Sequence, residues 1–269
     1  MLRMIDTHSH LFTEEFDADR AEVLSRAKEE GVSRIYLPNI DETTIDRLLQ
    51  VCEDNKGYCF PMMGLHPTSV NENFEIALQQ VRQYLEVHRD QFVAIGEIGV
   101  DLYWDDSFLE QQLEVFDRQV RWAVEMNLPI VVHCRKAIQY IYKVLLPYKD
   151  TALRGIFHSF TGDPGEAELM LQFERFMIGV NGIVTFKKST IPAILHQIPF
   201  ERIVLETDSP YLTPVPHRGE RNESSYIRYI LMKVADVLGR SPDEVAAQTA
   251  DNALRLFAAQ QRELKLNFY

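Results

Sequence analysis

Eight histidines stand in this chain of 269 residues, and five of them, His8, His10, His66, His133 and His158, fall at the ends of short apolar runs. Imidazole is the commonest metal-donating side chain near neutral pH. Two acids occupy equivalent places: Glu97, within Gly96-Glu97-Ile98-Gly99-Val100-Asp101, and Asp208, within Glu206-Thr207-Asp208-Ser209-Pro210. His8 and His10 are two residues apart, a spacing that on a β-strand turns both side chains to one face. A lone histidine on an apolar strand is as a rule a satisfied core residue. Five of them converging with two acids reverse that expectation.

The donor set specifies the chemistry. Four nitrogens with two or three carboxylate oxygens suit zinc, manganese or a similar divalent ion. Two ions need a shared ligand, and Glu97, from the middle of the ring, is the simplest bridge. Two ions about 3.5–4 Å apart can share and activate a water. Asp208 is expected to bind metal and to accept that water's proton. Glu206 shares the face of Asp208 by strand alternation, so it either orients a ligand or the substrate, or fills a barrel layer. Asp6 should lie deeper on the face of His8 and His10, as a partner for a ligating imidazole. His66 is a candidate contact for substrate or leaving group. Cys134 should point away and pack.

These residues need a scaffold that brings strand ends together, and the rest of the chain supplies it. Apolar strands are predicted at Arg3 to His10, Ser33 to Pro38, Tyr58 to Leu65, Phe92 to Ile98, Pro129 to His133, Arg154 to His158, Phe176 to Val180 and Arg202 to Asp208. Amphipathic helices are predicted between them, near Asp17 to Glu30, Thr43 to Asn55, Phe74 to His88, Phe108 to Met126, Lys136 to Leu146, Pro164 to Phe173 and Ile191 to His196. Two terminal helices are expected at Glu223 to Leu238 and Pro242 to Phe257, with a tail over about 258–269. Gly31 suits a helix C-cap, and Ser241-Pro242 with Glu244 suits a capped helix start. Strict alternation implies parallel strands, and eight such units predict an α/β fold, a (β/α)₈ barrel forming a single domain over 1–269. A doubly wound open sheet would need a glycine-rich turn after the first strand, where His8-Ser9-His10 stands instead. In a barrel the active site lies at the C-terminal strand ends, where every candidate ligand falls.

Composition narrows the class. Hydrophobic residues make up 46% and charged residues 25%, typical of a globular protein with a substantial core. The net charge is −12, from 28 basic and 40 acidic side chains, which as a global tendency disfavours nucleic acid without excluding a local basic site. Three cysteines, Cys52, Cys59 and Cys134, form no disulfide framework and suit a reducing compartment. There is no signal-peptide pattern and no apolar run of the ~18 residues that span a bilayer. A cytoplasmic location, no membrane and no obligate protein partner are the expectations.

Read in order, Ile5-Asp6-Thr7-His8-Ser9-His10, Gly64-Leu65-His66-Pro67, Gly96-Glu97-Ile98-Gly99-Val100-Asp101, His133-Cys134-Arg135, His158-Ser159-Phe160-Thr161-Gly162 and Leu205-Glu206-Thr207-Asp208-Ser209-Pro210 resemble the signature of the TatD family of metal-dependent hydrolases. The resemblance implies an amidohydrolase-type barrel. It implies one metal held by His8, His10, Glu97 and Asp208, and a second held by Glu97, His133 and His158. It also implies phosphodiester hydrolysis, with magnesium-dependent deoxyribonuclease activity as the usual assignment, so zinc, magnesium and manganese are all expected metals. Two departures stand out: the loop Pro216-His217-Arg218-Gly219-Glu220-Arg221-Asn222-Glu223-Ser224 lacks a final proline, and Val100 replaces a usual leucine.

The loops at the same end of the barrel are polarised. Arg135-Lys136, Lys187-Lys188 and His217, Arg218 and Arg221 are basic, whereas Glu14-Glu15, Asp41-Glu42 and Asp105-Asp106 are acidic. Arg135, Lys187, Arg218 and Arg221 are therefore expected to receive a phosphate, on DNA or another phosphate-bearing substrate. Phe12, Tyr103, Trp104, Phe160, Phe186 and Tyr211 could stack on bases. The absence of a long basic stripe favours a short footprint at a strand end. An alternative keeps the metals and changes the bond: deacylation of aminoacyl-tRNA, or hydrolysis of a small ester or amide. A silent scaffold would have lost ligands, and all six are present.

Overall fold

The computed structural model describes residues 2–266, with side chains described through residue 258. Eight strands follow one another: β1 (Met4–Asp6), β2 (Val32–Pro38), β3 (Cys59–Met62), β4 (Ile95–Asp101), β5 (Ile130–Arg135), β6 (Gly155–Phe157), β7 (Phe176–Val180) and β8 (Ile203–Leu205). Every pairing between them is parallel. Two ladders, β1-β2-β3 and β4-β5-β6-β7-β8, are joined by single bridges from Met63 to Ile95 and from Ser9 to Ser209. Those bridges close the ring, so the chain is a single (β/α)₈ barrel. The outer helices are α1 (Arg20–Glu29), α2 (Ile45–Asp54), α3 (Phe74–Val87), α4 (Leu109–Met126), α5 (Ile138–Leu145), α6 (Pro164–Leu171), the short α7 (Ile191–Ile194), α8 (Ile227–Leu238) and α9 (Pro242–Leu266).

The helix ends follow the sequence. Gly31 closes α1 at φ +92°, a conformation glycine adopts without steric cost. The Ser241 hydroxyl accepts from the Glu244 amide at 3.2 Å, and the Glu244 carboxylate accepts from the Ser241 amide at 2.9 Å, starting α9. The C-terminal helix runs as far as Leu266; of the tail expected over about 258–269, the last three residues and the side chains from 259 lie outside the described residues. Among the described residues no helix is long and apolar enough to cross a membrane.

Alternation along the strands sorts the core into two layers. Ile5, Tyr36, Met62, Ala94, Val131, Ile156, Met177 and Val204 form one cluster, one from each strand or its edge, together with Ala250, Ala253, Leu256 and Phe257 of α9. That cluster is the barrel interior, and α9 plugs its lower end, with Phe257 stacked 4.1 Å from Tyr36. Their sequence neighbours Met4, Ile35, Ile95, Val132, Phe157, Ile178 and Leu205 belong to the larger layer between barrel and helices. The other end of the barrel is left to polar side chains.

Several strand boundaries differ from expectation, and those of the first, fourth and fifth strands bear on the site. The fourth and fifth strands run on beyond Ile98 and His133, because Gly99, Val100 and Asp101 pair with His133, Cys134 and Arg135. Gly99 permits this approach, since a Cβ there would sit 1.9 Å from the His133 carbonyl oxygen. The first strand is shorter than expected: His8 and His10 lie beyond β1, tied to the last strand's end through hydrogen bonds of His10 N to Ser209 O and Asp208 N to His8 O.

Candidate metal centre

The strand ends position the donors in two ways. His133 and His158 lie two residues past the inward-facing Val131 and Ile156, so alternation carries them into the mouth, whereas Asp208 lies three residues beyond β8 at φ +60° and is placed by that turn. His8 and Glu97 lie three residues past Ile5 and Ala94, an odd step that regular strands would turn outward. A bend at Thr7, just past the end of β1, and a register irregularity between Ile95 and Ile98 accompany the exception. Local breaks of this kind re-aim side chains near active sites.

The result is a compact, buried cluster. His8 Nε2 lies 3.0 Å from Glu97 Oε2 and 3.2 Å from His10 Nε2. His133 Nδ1 lies 2.8 Å from the other carboxylate oxygen, Glu97 Oε1, which is also 3.5 Å from His66 Nε2 and 3.8 Å from His158 Nε2. Asp208 Oδ1 stands 3.6–3.7 Å from the Nε2 atoms of His8, His10 and His158. The His158 ring stacks on His8 at 3.4 Å. Three mutually close donor triads result: His8, His10 and Glu97; His8, His158 and Asp208; and His66, Glu97 and His133. All six sequence-expected ligands therefore meet, and His66 joins them.

Burial and charge set the protonation of this cluster. Burial pushes His10 down to about 4 and His8 well below its usual value, keeping both neutral and able to donate lone pairs. Burial also opposes charge on Glu97, yet the surrounding imidazoles, His8 first, hold it well below the ordinary carboxylate range. His133 and His158 are pulled the other way: against burial, Asp101 and Glu97 raise His133 to about 9, and Glu206 and Glu97 raise His158 to about 10. Burial lifts Asp208 to about 7. Buried imidazole nitrogens facing one another at 3.2 Å beside carboxylates are the donor arrangement a divalent cation satisfies, so these residues fit a metal.

A surrounding shell fixes the imidazoles. Asp101 Oδ2 accepts from His133 Nε2 at 2.8 Å, which leaves Nδ1 to face Glu97. Sequence reasoning missed this role; the signal was Asp101 itself, at the end of the Gly96-to-Asp101 motif, but it required the strand to extend past Ile98. Glu206 is completely buried, 3.0 Å from His158 Nδ1, and accepts from the Ser159 amide at 2.6 Å. It thus orients His158 and does not reach substrate. Asp6 departs from expectation as well: its oxygens accept from the Thr207 hydroxyl at 2.6 Å and from the Thr207 and His8 amides, tying the first strand to the last instead of holding an imidazole. Cys134 packs against the outer layer as expected.

The cluster floors a cavity of about 560 Å³, whose wall includes His10, His66, Trp104, Arg135 and Tyr211. Of the basic residues expected to receive phosphate, Arg135 lines this cavity. Lys187 and Arg218 are exposed beyond its lining, Arg218 with its guanidinium 3.8 Å from the centre of the Phe186 ring. Arg221 is turned away: its two terminal nitrogens grip Asp19 at 2.7 and 2.8 Å. Phe12 and Phe160 are buried and serve packing.

A closed parallel barrel with a buried histidine–carboxylate cluster at its C-terminal mouth is the architecture of a metal-dependent hydrolase. Residues 5–258 match the family model described as TatD related DNase, and the chain belongs to that family. It is 38% identical over 255 residues to the uncharacterized metal-dependent hydrolase YabD of Bacillus subtilis, covering 94% of this chain and 98% of that one. It is 33% identical over 260 residues to the 3'-5' ssDNA/RNA exonuclease TatD of Erwinia tasmaniensis, covering 94% and 99%. The crystal structure of the Escherichia coli TatD homologue YjjV superposes with a TM-score of 0.88 at 29% identity, covering 96% of this chain and 98% of that one.

Proposed function

We propose that this protein is a nuclease that removes nucleotides from an end of single-stranded DNA or RNA, using two divalent ions. The observation that carries the two-ion reading is Glu97: Oε2 faces His8 and His10, while Oε1 faces His133, His66 and His158. The first set would be His8, His10, Glu97 and Asp208. The second would be Glu97 and His133, with both His66 and His158 within reach of the same oxygen. The relative named as an exonuclease supports the choice of bond.

When bound, the ions would polarise the scissile phosphoryl group and make a water more acidic. The side chains do the rest. Asp208, its Oδ1 3.6–3.7 Å from three Nε2 atoms, is placed to take a proton from the attacking water as that water's oxygen bonds to phosphorus and the bond to the leaving oxygen breaks, the leaving oxygen taking up a proton from solvent. Asp101 and Glu206 hold the His133 and His158 rings in orientation. Arg135, in the cavity wall, is placed to meet phosphate charge.

The test is metal analysis of the purified protein combined with hydrolysis assays on single-stranded DNA and RNA labelled at either end, on a generic phosphodiester and on aminoacyl-tRNA. Stepwise release of labelled mononucleotides with magnesium, manganese or zinc is expected. Deacylation of aminoacyl-tRNA without any phosphodiester cleavage would overturn the assignment.

A further inference from the structure

The mouth carries an aromatic feature that metal chemistry does not use. Trp104 is 74% exposed, the most exposed large hydrophobic side chain among the described residues, yet it lines the same cavity as Glu97 and Asp208. It does not stand alone. The Tyr103 ring meets it edge-on, centroids 4.9 Å apart at 89°. The Arg135 guanidinium lies 3.6 Å from the centre of the Tyr103 ring and 5.5 Å from that of Trp104, and Lys136 Nζ is 4.9 Å from Tyr103. The Tyr103 amide donates to Asp101 Oδ1 at 2.8 Å, and the other oxygen of that carboxylate holds His133. The indole is thus in contact with Tyr103 and Arg135, and Tyr103 is tied through Asp101 to the metal centre.

Leaving an indole face open to water is unfavourable unless something covers it. The occupant must be flat and apolar on its face, and it must be joined to a group that the buried cluster and Arg135 attract. Resting on the nuclease reading above, we propose that Trp104 is a stacking subsite for a nucleobase next to the scissile phosphodiester, with Tyr103 and Arg135 holding the indole in place. Stacking is indifferent to base identity because every base offers a π-face. The subsite therefore gives affinity for unpaired strands without sequence preference. A base inside a duplex has both faces covered by its neighbours, so the subsite favours bases that are free of the stack.

The experiment compares Trp104→Ala and Trp104→Phe with the unmodified enzyme on three single-stranded oligonucleotides: intact, abasic at the terminal nucleotide, and abasic at the penultimate one. Trp104→Ala should raise KM for the intact strand on the order of tenfold, with kcat within about twofold. That penalty should vanish on one of the two abasic strands, and Trp104→Phe should recover most of the affinity. An unchanged KM on the intact strand, or an equal penalty on all three, would overturn the proposal. A thermal melt shows that the variants are folded. Binding separates this proposal from the nuclease reading. In a Trp122→Phe background, single-stranded DNA should quench Trp104 fluorescence. Quenching without cleavage by the unmodified enzyme would reject the nuclease reading and retain the subsite. No quenching would reject the subsite.

Discussion

Replacing Asp101 by Asn should weaken metal binding without changing a single metal-facing atom. Asp101 uses its two oxygens as acceptors, Oδ2 for His133 Nε2 and Oδ1 for the Tyr103 amide, each at 2.8 Å. With Nε2 committed to donating to Asp101, Nδ1, which faces Glu97, is the atom that would give its lone pair to a metal once its proton is displaced. An asparagine offers one acceptor and one donor. If its oxygen stays with the Tyr103 amide, its NH₂ faces His133 Nε2 and drives the ring proton to Nδ1, where a ligand lone pair is needed. If it flips, His133 keeps its acceptor and the Tyr103 amide faces a donor in a partly buried position. A polar group left without its partner costs about 1–3 kcal/mol. Either arrangement therefore predicts a loss of metal affinity of roughly 10–100-fold, the range found for residues that orient ligands. Competition against a chelator of known affinity measures it, with thermal unfolding of the metal-free protein as a control for folding. Asn at 101 with unaltered metal affinity would refute the claim that this carboxylate fixes the imidazole.

Asp208→Asn should lower turnover by at least about 10³-fold, since it removes both a proton acceptor and a ligand oxygen, while a melting curve shows the fold retained. Gly179→Ala would place a Cβ 2.5 Å from the buried Glu206 Oε2. It should cost about 1–3 kcal/mol in stability and reduce metal content, read by denaturation and metal analysis. Arg221→Ala breaks the Asp19 pair and should cost about 1 kcal/mol of stability with KM unchanged, because both partners are about one-third exposed and screened. Arg218→Ala together with Lys187→Ala should instead leave stability alone and weaken phosphodiester binding in a salt-dependent way; unchanged binding removes those two residues from the substrate path. Metal affinity should rise with pH. His133 and His158 are raised to about 9 and 10 in the metal-free protein, so they hold protons at neutral pH that an ion must displace. Each displaced proton makes affinity about tenfold stronger per pH unit until those values are passed. Calorimetry at pH 7 in buffers of different ionisation enthalpy should detect that proton release, and buffer-independent heats would contradict it.

The sequence by itself determined the barrel and singled out the candidate donors that the fold brings together. Eight apolar runs alternating with amphipathic stretches leave few ways to bury both faces of a parallel sheet. The even steps from Val131 to His133 and Ile156 to His158 send those side chains inward by geometry alone. Residue types at strand ends then named the donors, because chemistry is written in side-chain identity.

What the sequence left open is what depends on departures from regular geometry and on residues far apart in the chain. His8 and Glu97 sit an odd step from Ile5 and Ala94, and only the bend at Thr7 and the irregular register between Ile95 and Ile98 turn them inward. Asp101 became a partner of His133 because two strands pair beyond the barrel rim, an extension set by cross-strand hydrogen bonds. The carboxylates of Asp6 and Glu206 were visible, but not whether each would face an imidazole or a backbone amide. Arg221 looked like the other loop cations until Asp19, some two hundred residues away, closed on it. Local sequence fixes which groups exist and which way a regular strand points them; partnership among buried polar groups is decided by where the whole fold leaves each donor and acceptor, since each must find its match inside.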